Sequence, residues 1–142
     1  MKKLASLLLA VLVLVFCLPV AGMAEEQSFS YIEKSWDEQK STVVTTDATA
    51  TATPVTASMA TWGTANSTTP QWYAVTESLT LTVRPEVLGD VHLILCDGCV
   101  LNAPQGITLE KGNSLTVHAQ SDDASEMGEI NAAGTNGNAA IG

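Results

Sequence analysis

Two thiols, two imidazoles and three aromatic rings are the side chains whose types and spacing could do chemistry: Cys96 and Cys99, His92 and His118, and Trp62, Trp72 and Tyr73. A C-x-x-C pair works as a redox centre when its first thiol sits at a helix N-terminus, where the dipole lowers the thiol pKa. Here Cys96-Asp97-Gly98-Cys99 lies between strand-like runs with an acid inside it. The electropositive setting is missing, so packed or free cysteines are the first reading, a local disulfide across the turn the second, and redox chemistry the last.

The histidines raise a metal question. If Val91, Leu93 and Leu95 face a core, strand alternation sends His92, Ile94 and Cys96 outward, and a 24-residue register sets His118 opposite Ile94, diagonal to both His92 and Cys96. His92, His118, Cys96 and Cys99 are then the candidate ligands for a zinc ion, which takes His nitrogen and Cys sulfur in a tetrahedron. No paired ligand spacing typical of zinc is present. The plainer expectation is two exposed histidines on a strand face, with no metal and no cofactor.

Trp62, Trp72 and Tyr73 are candidate platforms for stacking against sugar rings. Trp72 and Tyr73 are neighbours, so in a strand they face opposite ways and one of them caps an apolar core. The acids Asp90, Asp97, Glu110, Asp122, Asp123, Glu126 and Glu129 fall mostly in turn-like segments, and Arg84 stands before Pro85. Glycoside cleavage needs a positioned carboxyl pair, and no such pair is assembled by the spacing. The catalytic set reads as none.

The elements that must carry these residues are strands. Apolar residues alternate in Leu79/Leu81/Val83, Val91/Leu93/Leu95 and Leu115/Val117/Ala119, with shorter pieces at Val100-Leu101, Ile107–Leu109 and Ile130; period two marks half-buried strands. Turn chemistry separates them at Gly89-Asp90, Asp97-Gly98, Ala103 to Gly106, Lys111 to Asn113 and Gly134 to Gly137. No helical stripe of useful length follows residue 70, and the fold class is all-β. Val91 to Leu115 is 24 residues and Ile107 to Ile130 is 23, about one coil of a parallel β-solenoid, a repeat that buries a core by stacking. A sandwich of hairpins is the rival, because Asp97-Gly98 between apolar residues is also a hairpin signal.

Upstream, the chain opens with Lys2 and Lys3, an apolar run from Leu4 to Val20 and small residues at Gly22 and Ala24. This is the three-part pattern of a signal peptide cleaved after Ala24. Pro19 interrupts the end of the run, which disfavours a retained membrane anchor, and Phe16 before Cys17 disfavours lipidation. The expected organisation is residues 1–24 as signal peptide, 25–70 as an extended lead-in or linker, and 71–142 as the cap and first coils of the solenoid. Between Ser41 and Thr69, 20 of 29 residues are Ser, Thr or Ala, a composition equally suited to a flexible stalk or a solvent-facing strand. Removal of residues 1–24 leaves four basic residues against 15 acidic ones, a net charge of −11. Nucleic acid is excluded as an expected partner because phosphate contacts need a basic face.

Trp72-Tyr73, Gly89-Asp90-Val91-His92-Leu93-Ile94-Leu95, Asp97-Gly98-Cys99, Gly106-Ile107 and Gly112-Asn113-Ser114-Leu115-Thr116-Val117, with the closing Asn138-Ala139-Ala140-Ile141-Gly142, resemble the start of large repetitive surface proteins of gut-dwelling Gram-positive bacteria. These are right-handed parallel β-helix or carbohydrate-binding-domain proteins of the pectate-lyase-like superfamily. The resemblance implies a secreted or cell-surface location and glycans or host-surface macromolecules as partners. It also implies a structural or adhesive role that is non-catalytic in these residues. The alternative is the leading part of a polysaccharide lyase or glycoside hydrolase whose catalytic residues lie downstream of Gly142.

Overall fold

The computed structural model describes residues 25–142; the signal peptide expected over residues 1–24 lies outside them. Eleven strands and no helix make up the described chain, so the all-β expectation holds. They are β1 (Gln27–Asp37), β2 (Thr42–Pro54), β3 (Thr61–Gly63), β4 (Gln71–Val75), β5 (Leu79–Thr80), β6 (Glu86–Leu88), β7 (Asp90–Leu95), β8 (Val100–Ala103), β9 (Thr108–Leu109), β10 (Ser114–Ala119) and β11 (Glu129–Ala132).

These strands form one five-stranded sheet in the order β1-β2-β4-β7-β10 and two three-stranded sheets, β3-β6-β9 and β5-β8-β11. Every pairing beyond β1–β2 is parallel. Layers therefore lie one on another through the like-facing rows Tyr73-Leu93-Val117, Trp62-Val87-Leu109 and Leu79-Leu101-Ile130. In the middle layer Val87, Val91, Leu93 and Leu101 are fully buried, as is Trp62 in the layer before. Gly63 permits the close approach of the two layers: its φ is +89°, and a Cβ there would lie 2.6 Å from Val91 Cγ2.

Three expectations need correction. The β1–β2 pair is antiparallel, so the five-stranded sheet is mixed. It also curls as half a barrel, bringing Tyr31 of its first strand to 4.8 Å from His118 of its last, measured between ring centroids. A uniform right-handed parallel helix is not what this sheet forms. The 24-residue register of Val91 with Leu115 is present, and Ser114 Oγ donates to Asp90 Oδ1 across it at 2.6 Å. The 23-residue partner is not, because Ile130 lies beside Leu101 while Ile107 bridges Ile141. Finally, Val117, on the core-facing side of its alternating strand, is 43% exposed; among the described residues β10 is the edge strand of its sheet.

The outer face of the large sheet also departs from expectation. Ile94 and Cys96 were expected to point to solvent, yet both are buried. The β1–β2 hairpin is the reason for Ile94, since it brings Tyr31 into the same buried cluster; the segment after β10 covers the Cys96 turn, where Gly98 N–H donates to Glu126 O at 2.6 Å. The Ser/Thr/Ala-rich stretch supplies β2, a 13-residue strand. Its alternating Thr and Ala let one side meet water while the Ala side turns to the core, where Ala52 is buried.

Candidate functional site

Strand alternation places Trp72 of β4, His92 of β7 and His118 of β10 on the outer face of the sheet, with Trp72 directly beside His92. The register anticipated for His118 is met, since it pairs with Ile94 and is diagonal to His92. Tyr31 comes down on this row from the hairpin, its ring centroid 4.7 Å from that of Trp72. Trp72 is thus wedged between Tyr31 and the two imidazoles, with centroid separations of 4.4 Å to His92 and 5.1 Å to His118.

The two imidazoles form a bonded pair. His92 Nδ1 and His118 Nε2 are 2.9 Å apart, the ring planes differ by 14° and the centroids are 5.1 Å apart. A short nitrogen contact with nearly coplanar rings and well-separated centroids describes two rings edge to edge, joined by one N–H···N bond, and not two rings face to face. On its far side His92 Nε2 lies 3.6 Å from Asp90 Oδ1. His118 is held below the ordinary imidazole value, first by burial and then by the neighbouring His92, while the Ile32 backbone and Glu33 act the other way.

A cleft of about 460 Å3 opens beside this pair, between β1 and β10, lined among others by Ile32, Glu33, Lys34, His92, His118 and Asp122. Lys34 Nζ and Asp122 Oδ1 meet across its rim at 3.4 Å. The nearby hydroxyl of Ser114 bonds the Asp90 carboxylate and no imidazole, so a serine nucleophile paired to a histidine is not assembled here. What the arrangement does offer is an aromatic platform, hydrogen bonding and uptake of protons.

A second, shallower depression of about 200 Å3 lies at the seam of β2 and β4, lined by Glu26, Thr51, Thr53, Gln71, Trp72 and Tyr73, with Pro70 at its edge. The two neighbouring aromatics do face opposite ways. Trp72 points outward, while Tyr73 leans toward the core and its hydroxyl accepts the Gly63 N–H at 2.8 Å. Trp62, the third candidate stacking ring, is fully buried and offers no face to a sugar. Its ring centroid lies 6.4 Å from that of Tyr73, and among the described residues it is the largest fully buried side chain.

The thiols stand apart from the imidazoles. Cys96 and Cys99 are free and buried at the turn after β7, where Cys99 N–H donates to Cys96 O at 3.1 Å. Burial, then Cys99 and Asp97, pushes the Cys96 thiol up to about 11; burial, Asp97 and Glu77 raise Cys99. Both shifts favour the thiol over the thiolate that disulfide exchange and metal ligation use. Among the described residues no group of three or more His, Cys, Asp or Glu is placed to hold a metal ion. The structure brings together His92 and His118 from the four candidate ligands and leaves the cysteines elsewhere.

No family model, no curated protein and no solved structure matches the chain. The resemblance to pectate-lyase-like surface proteins is accordingly withdrawn. No family model supports it, and the mixed, half-barrel sheet differs from the uniform parallel helix that the resemblance implies.

Proposed function

We propose that the chain is an exported, non-catalytic structural and adhesive module, in which stacked strands form a solenoid-like scaffold and the depression at the β2–β4 seam takes a sugar ring of a carbohydrate chain. The observation that carries the adhesive half is the make-up of that depression. Trp72 and Tyr73 border it at the start of β4, and Glu26, Gln71, Thr51 and Thr53 bring a carboxylate, an amide and two hydroxyls to a lining that is mainly polar. Aromatic carbon with a ring of fixed donors and acceptors is the chemistry that recognises a pyranose, whose faces are apolar and whose rim carries hydroxyls. Export rests on the signal-peptide pattern of residues 1–24. The scaffold half is supported by the parallel like-on-like registers between layers.

A glycan array probed with the mature protein tests the reading. Binding to at least one carbohydrate class is expected, with loss of roughly tenfold or more in affinity for Trp72→Ala or Gln71→Ala, as for removal of a central aromatic or a buried polar contact. An array without signal would leave a spacer with no adhesive role and overturn that half of the proposal.

A further inference from the structure

The β1–β2 hairpin is attached to the rest of the sheet in an uneven way. Its own ladder runs from Gln27↔Ala52 to Asp37↔Thr42, whereas β2 pairs with β4 only through Thr53↔Tyr73 and Pro54↔Ala74. The hairpin is therefore a self-bonded arm on a two-residue hinge. Away from that hinge it is held by the Tyr31 ring on Trp72 and His118, by the buried Ile32, by Phe29, Ala48, Ala50 and the buried Ala52 packed on the core, and by the exposed Lys34–Asp122 ion pair, an interaction of small worth at a surface.

We propose that this hairpin is an acid-released strap: with the imidazole pair unprotonated or singly protonated it lies closed over Trp72, and a second proton on the pair frees it. The reason is the arithmetic of one hydrogen bond. An N–H···N bond needs one ring nitrogen to donate and the other to accept. Two neutral rings satisfy it, and so does one imidazolium with one neutral imidazole. Two imidazolium rings do not, because both facing nitrogens then carry hydrogen and two positive charges stand a bond length apart under an apolar cover.

The groups facing the pair are Tyr31 and Glu33 from β1, with Lys34 beside them, Asp90 from β7 and Asp122 from the segment after β10. Asp90 Oδ1 lies 3.6 Å from His92 Nε2, whereas the Tyr31 ring packs on His118, so His118 is the ring whose charge the closed hairpin opposes. His118 is depressed from its ordinary 6.5 chiefly by burial. A group whose closed-state pKa is lowered favours closure above its ordinary value and ceases to do so as pH falls through the lowered one. Closure is thus complete above 6.5 and weakens on acidification. Release would uncover the Trp72 face that Tyr31 now occupies. That consequence for sugar binding rests on the reading of the β2–β4 depression given above, whereas the release itself does not.

The test is acrylamide quenching of tryptophan fluorescence in the Trp36→Phe variant, without any glycan. Trp36 is 61% exposed, and Trp62 remains as a buried reference. From about pH 7.5 to about pH 5, across the imidazole range, the quenching constant of the Trp72 emission is expected to rise roughly twofold or more while far-UV circular dichroism and the Trp62 emission stay constant. In His118→Gln and, separately, His92→Gln the rise should vanish. The midpoint in the otherwise native chain should coincide with the His118 ring-proton titration seen by NMR, a readout that needs no variant to fold. Flat quenching, a rise shared with loss of dichroism, or a rise that persists in both glutamine variants would each overturn the strap. Affinity for an array-positive glycan, compared at the two pH values, then reports on the depression separately.

Discussion

Arg84 is the residue whose role departs most from its surroundings in the sequence. Its Nε donates to Thr108 Oγ1 at 2.8 Å, Nη1 to Gln105 O at 2.6 Å, and Nη2 to the backbone oxygens of Ile107, Ala139 and Gly142 at 3.2, 3.1 and 2.9 Å. A rigid guanidinium fork can hold several carbonyls at once in this way, and a lysine cannot. Gly106, at φ +81°, keeps the space open, since a Cβ there would lie 2.6 Å from Ala140 O. Arg84→Lys is expected to lower stability by about 1–3 kcal/mol, read as a fall in the midpoint of urea unfolding. The cysteines give a second expectation. With Cys96 pushed up to about 11 and both thiols buried, Ellman's reagent at neutral pH should react slowly with the native chain and rapidly after denaturation. Rate and extent in the native state should increase as pH is raised toward the Cys96 value. Neither role was legible from composition, because Arg84 finds its acceptors in segments far along the chain and the Cys-x-x-Cys spacing is blind to what covers it.

At the scale of elements, the strands downstream of residue 70 were largely legible. Alternation in Val91/Leu93/Leu95 and Leu115/Val117/Ala119 marked β7 and β10, and the glycines at 89, 98, 106 and 112 do adopt positive φ in the intervening turns. What alternation does not encode is whether a strand's second face meets water or another element. Ile94 and the two histidines sit on such a face, and only the hairpin, built from a stretch whose composition fits stalk and strand alike, decides their environment. The imidazole pair was accordingly legible as a proximity but not as a bonded pair beneath a cover. Layer position also sets the energetics. Leu93→Ala, inside the middle layer, is expected to cost about 2–5 kcal/mol, whereas Val117→Ala in the partly uncovered edge strand should cost less than about 1 kcal/mol. Chemical denaturation of the two variants would check the ordering, and equal losses would show that the edge strand is as tightly packed as the middle layer.

Across the whole molecule, the ladder hydrogen bonds within each of the three sheets run across the strands they join. That anisotropy has a mechanical meaning. A tensile load across the strands, along these bonds, meets one strand pair at a time, so a sheet yields by peeling. A load along the strands engages the same bonds together and is resisted in shear. Arg84 acts as a rivet against the first mode, because lifting the chain around residues 105–108 and 139–142 requires its five bonds to break in concert.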